Sequence, residues 1–585
     1  MMLYRIQWHL ITAVIALLFL TQCTKVVGDH VNNAQPSATP YSMSADAYLA
    51  MAQRQSGAQK NSLLLMAAGR YIYEGRWQPG NSVLEMLGQL TPEQWDEAQI
   101  LRAKIANLQG HPDSSLSLLS QVHNAKQLSP FFQEQYHLLL AQTYETKRQW
   151  LQAINQRIAL DELLSTDART MNMRMLWLDL MKQPSSELQT QALELHSGSI
   201  LEGWLRLAMI PQLQGSDERS LLSRLQQWLD RYPHHPAARW FPHPVSQLSS
   251  VLYEPFKRIA LLLPLQGALS GPSEAIRDGF MAAEAASTGI HAEVRVYDTS
   301  AKNPAQVYQQ AIQDNADVVV GPLSKEEVAA VMRVGHPIPT LFLNDMGASR
   351  DSNTFQLSLS PSYEASEVAV QAHKDGLQHA LIIAPSNNWG NEVVQAFVQR
   401  WTRLGGAVTE DFRYRPDENL SVGLRQALHF SEGSQNKNNS SRRQDFDMVF
   451  LLAYPSKARE IMPLLRYYYA GNVPVYGTST VYSGSVDARK DKDLDGLRFC
   501  DIPFVFAADV GQKSWPEAYN SYNRLYALGL ESYLLTQNIN TLLIFPALVL
   551  HDKTGVVYLT PNHKVERVLV WAKFEQGVPH VLGAL

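Results

Sequence analysis

The sequence predicts two unlike halves: an all-α half of repeated helical pairs, then a doubly wound α/β half divided into two lobes. Three observations carry this prediction. Apolar residues recur at helical spacing from Tyr41 to about Pro244. Beyond the connector "PHPVSQLSSVLYEPFK" the pattern changes to short Val/Ile/Leu runs alternating with amphipathic stretches. At 585 residues, the chain is also too long for one hydrophobic core.

The chain opens with "MMLYRIQWH", which carries one Arg, followed by the apolar run "LITAVIALLFL" from Leu10 to Leu20. Such a run is too short to span a bilayer comfortably and fits the hydrophobic region of a secretory signal. It ends in "LTQC", which resembles a bacterial lipobox whose cysteine, here Cys23, becomes the lipidated first residue. Gln22 departs from that pattern, which has Gly, Ala or Ser there. Thr24 follows the cysteine, as in lipoproteins sent on to the outer membrane. "TKVVGDHVNNAQPSATP" lacks periodicity and reads as a flexible linker. Residues 1–22 are thus expected to be a signal peptide and 23–40 a lipidated tether. With Cys23 acylated, Cys500 has no partner within the chain and is expected to be a buried thiol.

Within the helical half, expected over residues 41–247, three segments are alike: "LLLMAAGRYIYEGRWQPGNSVLEML", "ILRAKIANLQGHPDSSLSLL" and "HLLLAQTYETKRQWLQAINQRI". Each places a small residue (Ala68, Ala103, Ala141) on a first helix, then a turn, then a second helix. The alanines recur at 35 and 38 residues, near the 34-residue tetratricopeptide period, where small residues let paired helices approach. Pro233 and Pro236 end the helical region. His234, His235 and His243 cluster in "RYPHHPAARWFPHP", and a solvated loop is expected there rather than a metal site.

In the second half, expected over 248–585, strand candidates are "RIALLLPL", "AEVRVYD", "DVVVGPL", "PTLFLN", "HALIIAPS", "FDMVFLLAY", "PVYGTS" and "LRFCDIPF". Helices lie between them, and the continuous apolar runs suit a parallel sheet buried on both faces. A division near "LSLSP" (Leu357 to Pro361) makes two lobes with a cleft between. Ligands of open α/β sheets sit beyond the carboxyl ends of the strands. The candidate cleft residues there are Gln266, Ser270, Ser324, Asn344, Asp345, Asn387, Trp389 and Thr478, with Ser324 also at a helix N-cap position. "EGSQNKNNSSRR" (Glu432 to Arg443) is polar and reads as a surface loop.

Charge and motifs exclude several function classes. A net charge of −5 with no long basic run argues against a nucleic-acid partner. Two cysteines make neither a zinc site nor a disulfide framework by themselves. There is no G-x-S-x-G elbow, H-E-x-x-H, phosphate-binding Walker loop or S-x-x-K with its companion motifs. No enzyme activity, metal or cofactor is expected.

From Arg258 onward, the order "RIALLLPLQG", "VYDT", "VVVGPLSK", "LIIAPSNNWG", "FLLAYPSKAREIMPLLRYY" and "GTSTVYSG" resembles the type I periplasmic binding proteins. The closing "GVVYLTPNHKVERVLVWAKFEQGVP" resembles the strand pair that ends that fold. With the lipobox, the helical half and the joint "RYPHHPAARWFP", the whole sequence resembles the LpoA family of lipoprotein activators. That resemblance implies a non-catalytic protein anchored by lipid to the outer membrane and reaching across the periplasm. It implies docking on the bifunctional penicillin-binding protein 1A and stimulation of peptidoglycan synthesis, chiefly transpeptidation.

Aromatic and arginine side chains often anchor such interfaces, and "LLRYYYAGN" supplies Arg466, Tyr467, Tyr468 and Tyr469. Three consecutive tyrosines on a helix cannot all face inward. The rival reading is a lipoprotein receptor for an amino acid or similar metabolite, with Asp345 meeting the ligand amine and Ser324 its carboxylate. The helical half of about 200 residues has no place in a simple receptor, and a small-molecule ligand is accordingly doubtful.

Overall fold

The computed structural model of the chain describes residues 39–582 apart from 75, 213–217, 242–243, 251, 288–290, 346, 348–350, 416–418, 432–441, 508–514, 546–548, 553–554 and 561. The signal sequence, Cys23 and most of the predicted loop from Glu432 lie outside the described residues. Among the described residues no helix is long and apolar enough to cross a membrane.

Among the described residues eleven α-helices come first: α1 (Ala45–Ala52), α2 (Gly57–Tyr73), α3 (Trp77–Glu85), α4 (Pro92–Leu108), α5 (Pro112–Leu119), α6 (Pro130–Thr146), α7 (Trp150–Asp161), α8 (Thr166–Met181), α9 (Ser185–Leu193), α10 (Ile200–Met209) and α11 (Glu218–Arg231). The expected pairs are α2/α3, α4/α5 and α6/α7. Ala68, Ala103 and Ala141 are each fully buried on the first helix of a pair, where a side chain beyond Cβ would hold the neighbour off. Local chemistry starts these helices well. At α4, Thr91 accepts from the Gln94 N–H, the Gln94 side chain accepts from the Thr91 N–H, and Pro92 occupies the first turn.

The helical half holds two cores. One joins α1 to α6 through Tyr41, Tyr73 and Phe131. The second, around Trp177, Trp204 and Trp228, continues into the α/β half through Ile544, Phe545 and Tyr558. Arg174 lies 3.3 Å over the Tyr558 ring, and Arg70 donates to the Gly376 carbonyl at 2.6 Å. His235 corrects one expectation. It is buried rather than solvated, accepting from the Ala237 N–H through Nδ1 and lying 2.9 Å from the Ile200 carbonyl through Nε2. Burial pushes its pKa down to about 4, so it packs as a neutral ring against Trp204 and Trp228.

The second half is two sheets. The first contains β1 (Arg258–Leu263), β2 (Glu293–Asp298), β3 (Val318–Val320), β4 (Thr340–Phe342) and β5 (Thr354–Leu357). The second contains β6 (His379–Pro385), β7 (Ala407–Tyr414), β8 (Met448–Leu451), β9 (Val475–Gly477) and β10 (Arg498–Asp501). Both have the parallel order 2-1-3-4-5, so each lobe is wound alike and has its topological switch between its first and third strands. The runs are apolar because both faces are covered. In β6, Leu381 and Ile383 join one core while Ala380, Ile382 and Ala384 join another under Phe397 and Trp401.

The covering helices are α12 (Ser270–Ala286), α13 (Pro304–Gln313), α14 (Lys325–Val331), α15 (Pro361–Lys374), α16 (Asn388–Arg403), α17 (Leu420–Ala427), α18 (Pro455–Tyr467), α19 (Phe504–Ala507) and α20 (Tyr522–Ile544).

The tail departs from the single strand pair expected. β11 (Val549–Asp552), β12 (Gly555–Leu559) and β13 (Lys564–Val568) extend the first sheet, whereas β14 (Val570–Glu575) and β15 (Val578–Val581) extend the second. The single residue Leu569 carries the chain between lobes. The other crossings are Ser358–Ser360, at the predicted division, and the segment from Ile502 to Ser521.

Candidate functional site: the cleft between the lobes

The doubly wound order places the ends of β1 and β3 opposite those of β6 and β8. On the second lobe's side of this junction, beyond its strand ends and beside the segment that leads into α20, lies a cavity of about 270 Å³, lined by Trp389, Tyr454, Thr480, Tyr482, Trp515 and Arg524 among others. Trp389 begins α16 and Tyr454 caps α18, so two helix starts bring the rings together. They stack at 5.0 Å and 10°. At the rim, Lys325 of the first lobe meets Glu392 of the second at 2.8 Å; both are exposed, so the pair adds little to stability.

The floor is a buried polar network. Arg524, in the first turn of α20, donates to Asp501 at 2.6 Å, to the carbonyls of Ser479 and Tyr482 at 3.0 Å, and to Asn520 at 3.1 Å. Burial opposes the guanidinium charge, but Asp501 and Glu364 outweigh it and raise its pKa. Beside it, Glu364 of α15 accepts from the Ser479 N–H at 2.8 Å and from its hydroxyl at 2.9 Å. Burial, reinforced by the Asp501 charge, pushes the Glu364 carboxyl up to about 7.

That shift has a testable sign. A carboxyl raised from 4.5 to about 7 binds its proton more tightly in the folded chain. It therefore favours folding below about pH 4.5, and its contribution is lost as pH rises through about 7. The Glu364→Gln variant is expected to lose up to about 3 kcal/mol of the fall in stability between these pH values. Glu97 and Asp179, both pushed up to about 7 by burial, keep a residual slope of the same sign. Urea unfolding at pH 5 and pH 8 measures the difference; equal slopes in the two proteins would contradict it.

The predicted cleft residues divide. Only Trp389 lines the cavity. Thr478 is fully buried just behind it, its hydroxyl 2.8 Å from that of Thr480. Ser324 and Asn387 are spent on helix starts, accepting from the N–H groups of Glu327 and Gly390. Gln266 donates to Asp298 at 3.0 Å, and Ser270 donates to the Gly267 carbonyl. Asn344 donates to the Leu323 carbonyl, and Asp345 is ion-paired with Lys564. Burial raises the Asp345 pKa, but Lys564 and the Gly347 N–H more than reverse it.

Sequence reasoning missed Glu364, Asp501, Arg524 and Trp515. One signal was present: Arg524 and Glu531 are the only charged residues in α20, and buried charges must be paired. Each is paired, Arg524 with Asp501 and Glu531 with Arg567 at 2.5 Å. Cys500 is a buried free thiol, as expected. No group of three or more potential metal ligands is present among the described residues.

The profile of the LppC lipoprotein family matches residues 38–577, spanning the helical half, the cleft and the closing strands through β14. The chain belongs to the LppC lipoprotein family. Relatives named penicillin-binding protein activator LpoA include one from Vibrio antiquarius, 28% identical over 90% of this chain and 92% of that protein. Another, from Pectobacterium parmentieri, is 26% identical over 97% of both. The crystal structure of full-length LpoA from Haemophilus influenzae is 24% identical, with a TM-score of 0.50 over 94% of this chain and 100% of that one. This LppC chain therefore shares the fold of that structure over most of its length.

Proposed function

We propose that the chain is a non-catalytic outer-membrane lipoprotein that binds a bifunctional penicillin-binding protein of the 1A type. In this reading it raises peptidoglycan synthesis, chiefly transpeptidation. One observation carries the reading: relatives named penicillin-binding protein activators align with nearly the whole chain, helical half included. Lipidation at Cys23 ties the chain to the outer membrane, residues 24–40 act as the tether, and the folded halves reach toward the synthase. The receptor alternative lacks its two proposed ligand groups, since Lys564 occupies Asp345 and Ser324 caps α14.

An activator of this kind must bind the active conformation of its partner more tightly than the resting one. The candidate docking patch is the end of α18. Tyr467 is 65% and Tyr469 55% exposed, while Tyr468 is 4% exposed and bonds to Ser421. Arg466 is held by the carbonyls of Asp493 and Asp495, and Val422 of α17 is also exposed. Large apolar groups left in water at one place suit an interface core.

The test adds a chain beginning at Thr24, which keeps every described residue, to a 1A-type penicillin-binding protein and measures cross-linked glycan product. Product is expected to rise, and the double variant Tyr467→Ser/Tyr469→Asn is expected to lose at least about tenfold in binding. Asn is chosen because residue 469 has φ of 59°, which Asn tolerates. The fold is expected to survive, as both side chains are largely in water. Absence of binding by the parent chain would sink the reading. Undiminished binding by the variant would move the interface elsewhere.

A further inference from the structure

A second cavity, of about 570 Å³, lies where the helical half meets both lobes, and it shares no lining residue with the cleft. Its size falls within the range of small-ligand sites. One wall is apolar and comes from α8, through Met171, Met175 and Leu178. The opposite side takes Tyr363 of α15, just after the first passage between the lobes, Pro503 in the second, and Leu569, which is the third.

Five charged side chains line this space; Lys182 is paired with Asp179 and Asp375 with Arg498, which leaves Glu367 and Lys374. Glu367 and Lys374 both belong to α15 and both line the cavity. Seven residues apart, they stand two helical turns from each other on the same face, about 10 Å along the axis. Neither makes a hydrogen bond or direct ion pair with a described residue, unlike the Asp375–Arg498 pair on the same wall at 3.0 Å. Burial pushes the Glu367 carboxyl up, with Lys374 and Arg400 acting against it at longer range. A carboxylate in that position gains from a cation brought to it.

We propose that this cavity binds a short apolar peptide with free ends, its ammonium on Glu367 and its carboxylate on Lys374. The spacing sets the length. Extended residues advance about 3.3–3.6 Å each, so three residues span the gap. A single amino acid is too short to reach both charges, and a fatty acid would leave Glu367 facing its acyl chain. Because the walls come from the helical half, from α15 and from two of the three passages between lobes, a bound peptide favours one arrangement of these bodies over others.

The test is calorimetric titration of the chain beginning at Thr24 with Ala-Leu-Ala, with its N-acetylated form and with its C-terminal amide. The free peptide is expected to bind, and capping either end to weaken binding about tenfold or more. In Glu367→Gln the acetylated and free peptides are expected to bind alike. In Lys374→Met the same is expected of the amide. Met175→Trp, which fills the cavity from α8, is expected to remove binding while leaving the circular dichroism spectrum unchanged. Absence of heat at millimolar peptide, equal affinity of capped and free peptides in the parent chain, or binding of palmitate with none of peptide would each overturn the proposal.

Discussion

The Arg524→Met variant is expected to lose about 3–5 kcal/mol of stability, because it leaves Asp501 charged and unpaired in the protein interior. The side chains of both residues are almost wholly enclosed, and Arg524 spreads its donors over Asp501, Asn520 and two backbone carbonyls. Removing it also strips partners from the Ser479 and Tyr482 carbonyls at the cleft floor. Glu364 loses a nearby positive charge, so its pKa should rise further than it already has. The companion variant Arg524→Met/Asp501→Asn removes both charges together and should recover a good part of the loss. The chain has several cores and does not promise a single two-state transition. Hydrogen exchange of the β10 and α20 amides is therefore the better readout, since it reports local stability. Unchanged protection there in Arg524→Met would show that the ion pair holds nothing together.

The Gly529→Ala variant is expected to destabilise the chain by an amount toward the upper end of the ~1–3 kcal/mol typical of overpacking. Helices α12 and α20 touch backbone to backbone at Gly279 and Gly529. A Cβ on Gly529 would lie 2.0 Å from the Ile276 carbonyl oxygen, and one on Gly279 would lie 2.0 Å from that of Tyr526. These are main-chain atoms of rigid helices, so a whole helix must move. The sign makes the test sharp. In an uncrowded helix, Gly to Ala stabilises by about 0.5–1 kcal/mol. Here α20 also carries Arg524 to the cleft floor, so displacement of the helix should show as faster exchange at β10 as well. A rise in the unfolding midpoint of Gly529→Ala would refute the close crossing.

Much of the fold was legible because burial on both faces leaves a plain trace. The predicted strands "RIALLLPL", "HALIIAPS" and "FDMVFLLAY" became β1, β6 and β8, inner strands of the two sheets, paired on both sides. The spaced alanines marked the helical pairs because close packing at those positions admits little else. Three features were not legible. The strand β5 is only Thr354–Leu357 and merged with the predicted lobe division that follows it. The helix α20 shows no polar face over most of its length, since both lobes and α12 cover it, and so it lacked amphipathic periodicity. The final strands read as one pair because nothing in a local apolar pattern says that Leu569 changes lobes.

The cleft shows the same limit from the other side. Small polar residues follow the strands at several of the positions read from the sequence. Nearly all of them, Ser324, Asn387 and Asn344 among them, satisfy neighbouring backbone or side-chain groups. By itself the sequence determined the two halves, many of the strands and helical pairs within them, and the polar turn residues that start helices such as α14 and α16. Each of these rests on near-neighbour periodicity and local hydrogen bonding. Only the tertiary structure decided which charges meet. Arg524 finds Asp501 across 23 residues, and Lys564 reaches Asp345 across 219. Such meetings depend on lobes brought together by three separate passages of the chain, a geometry that no local pattern encodes.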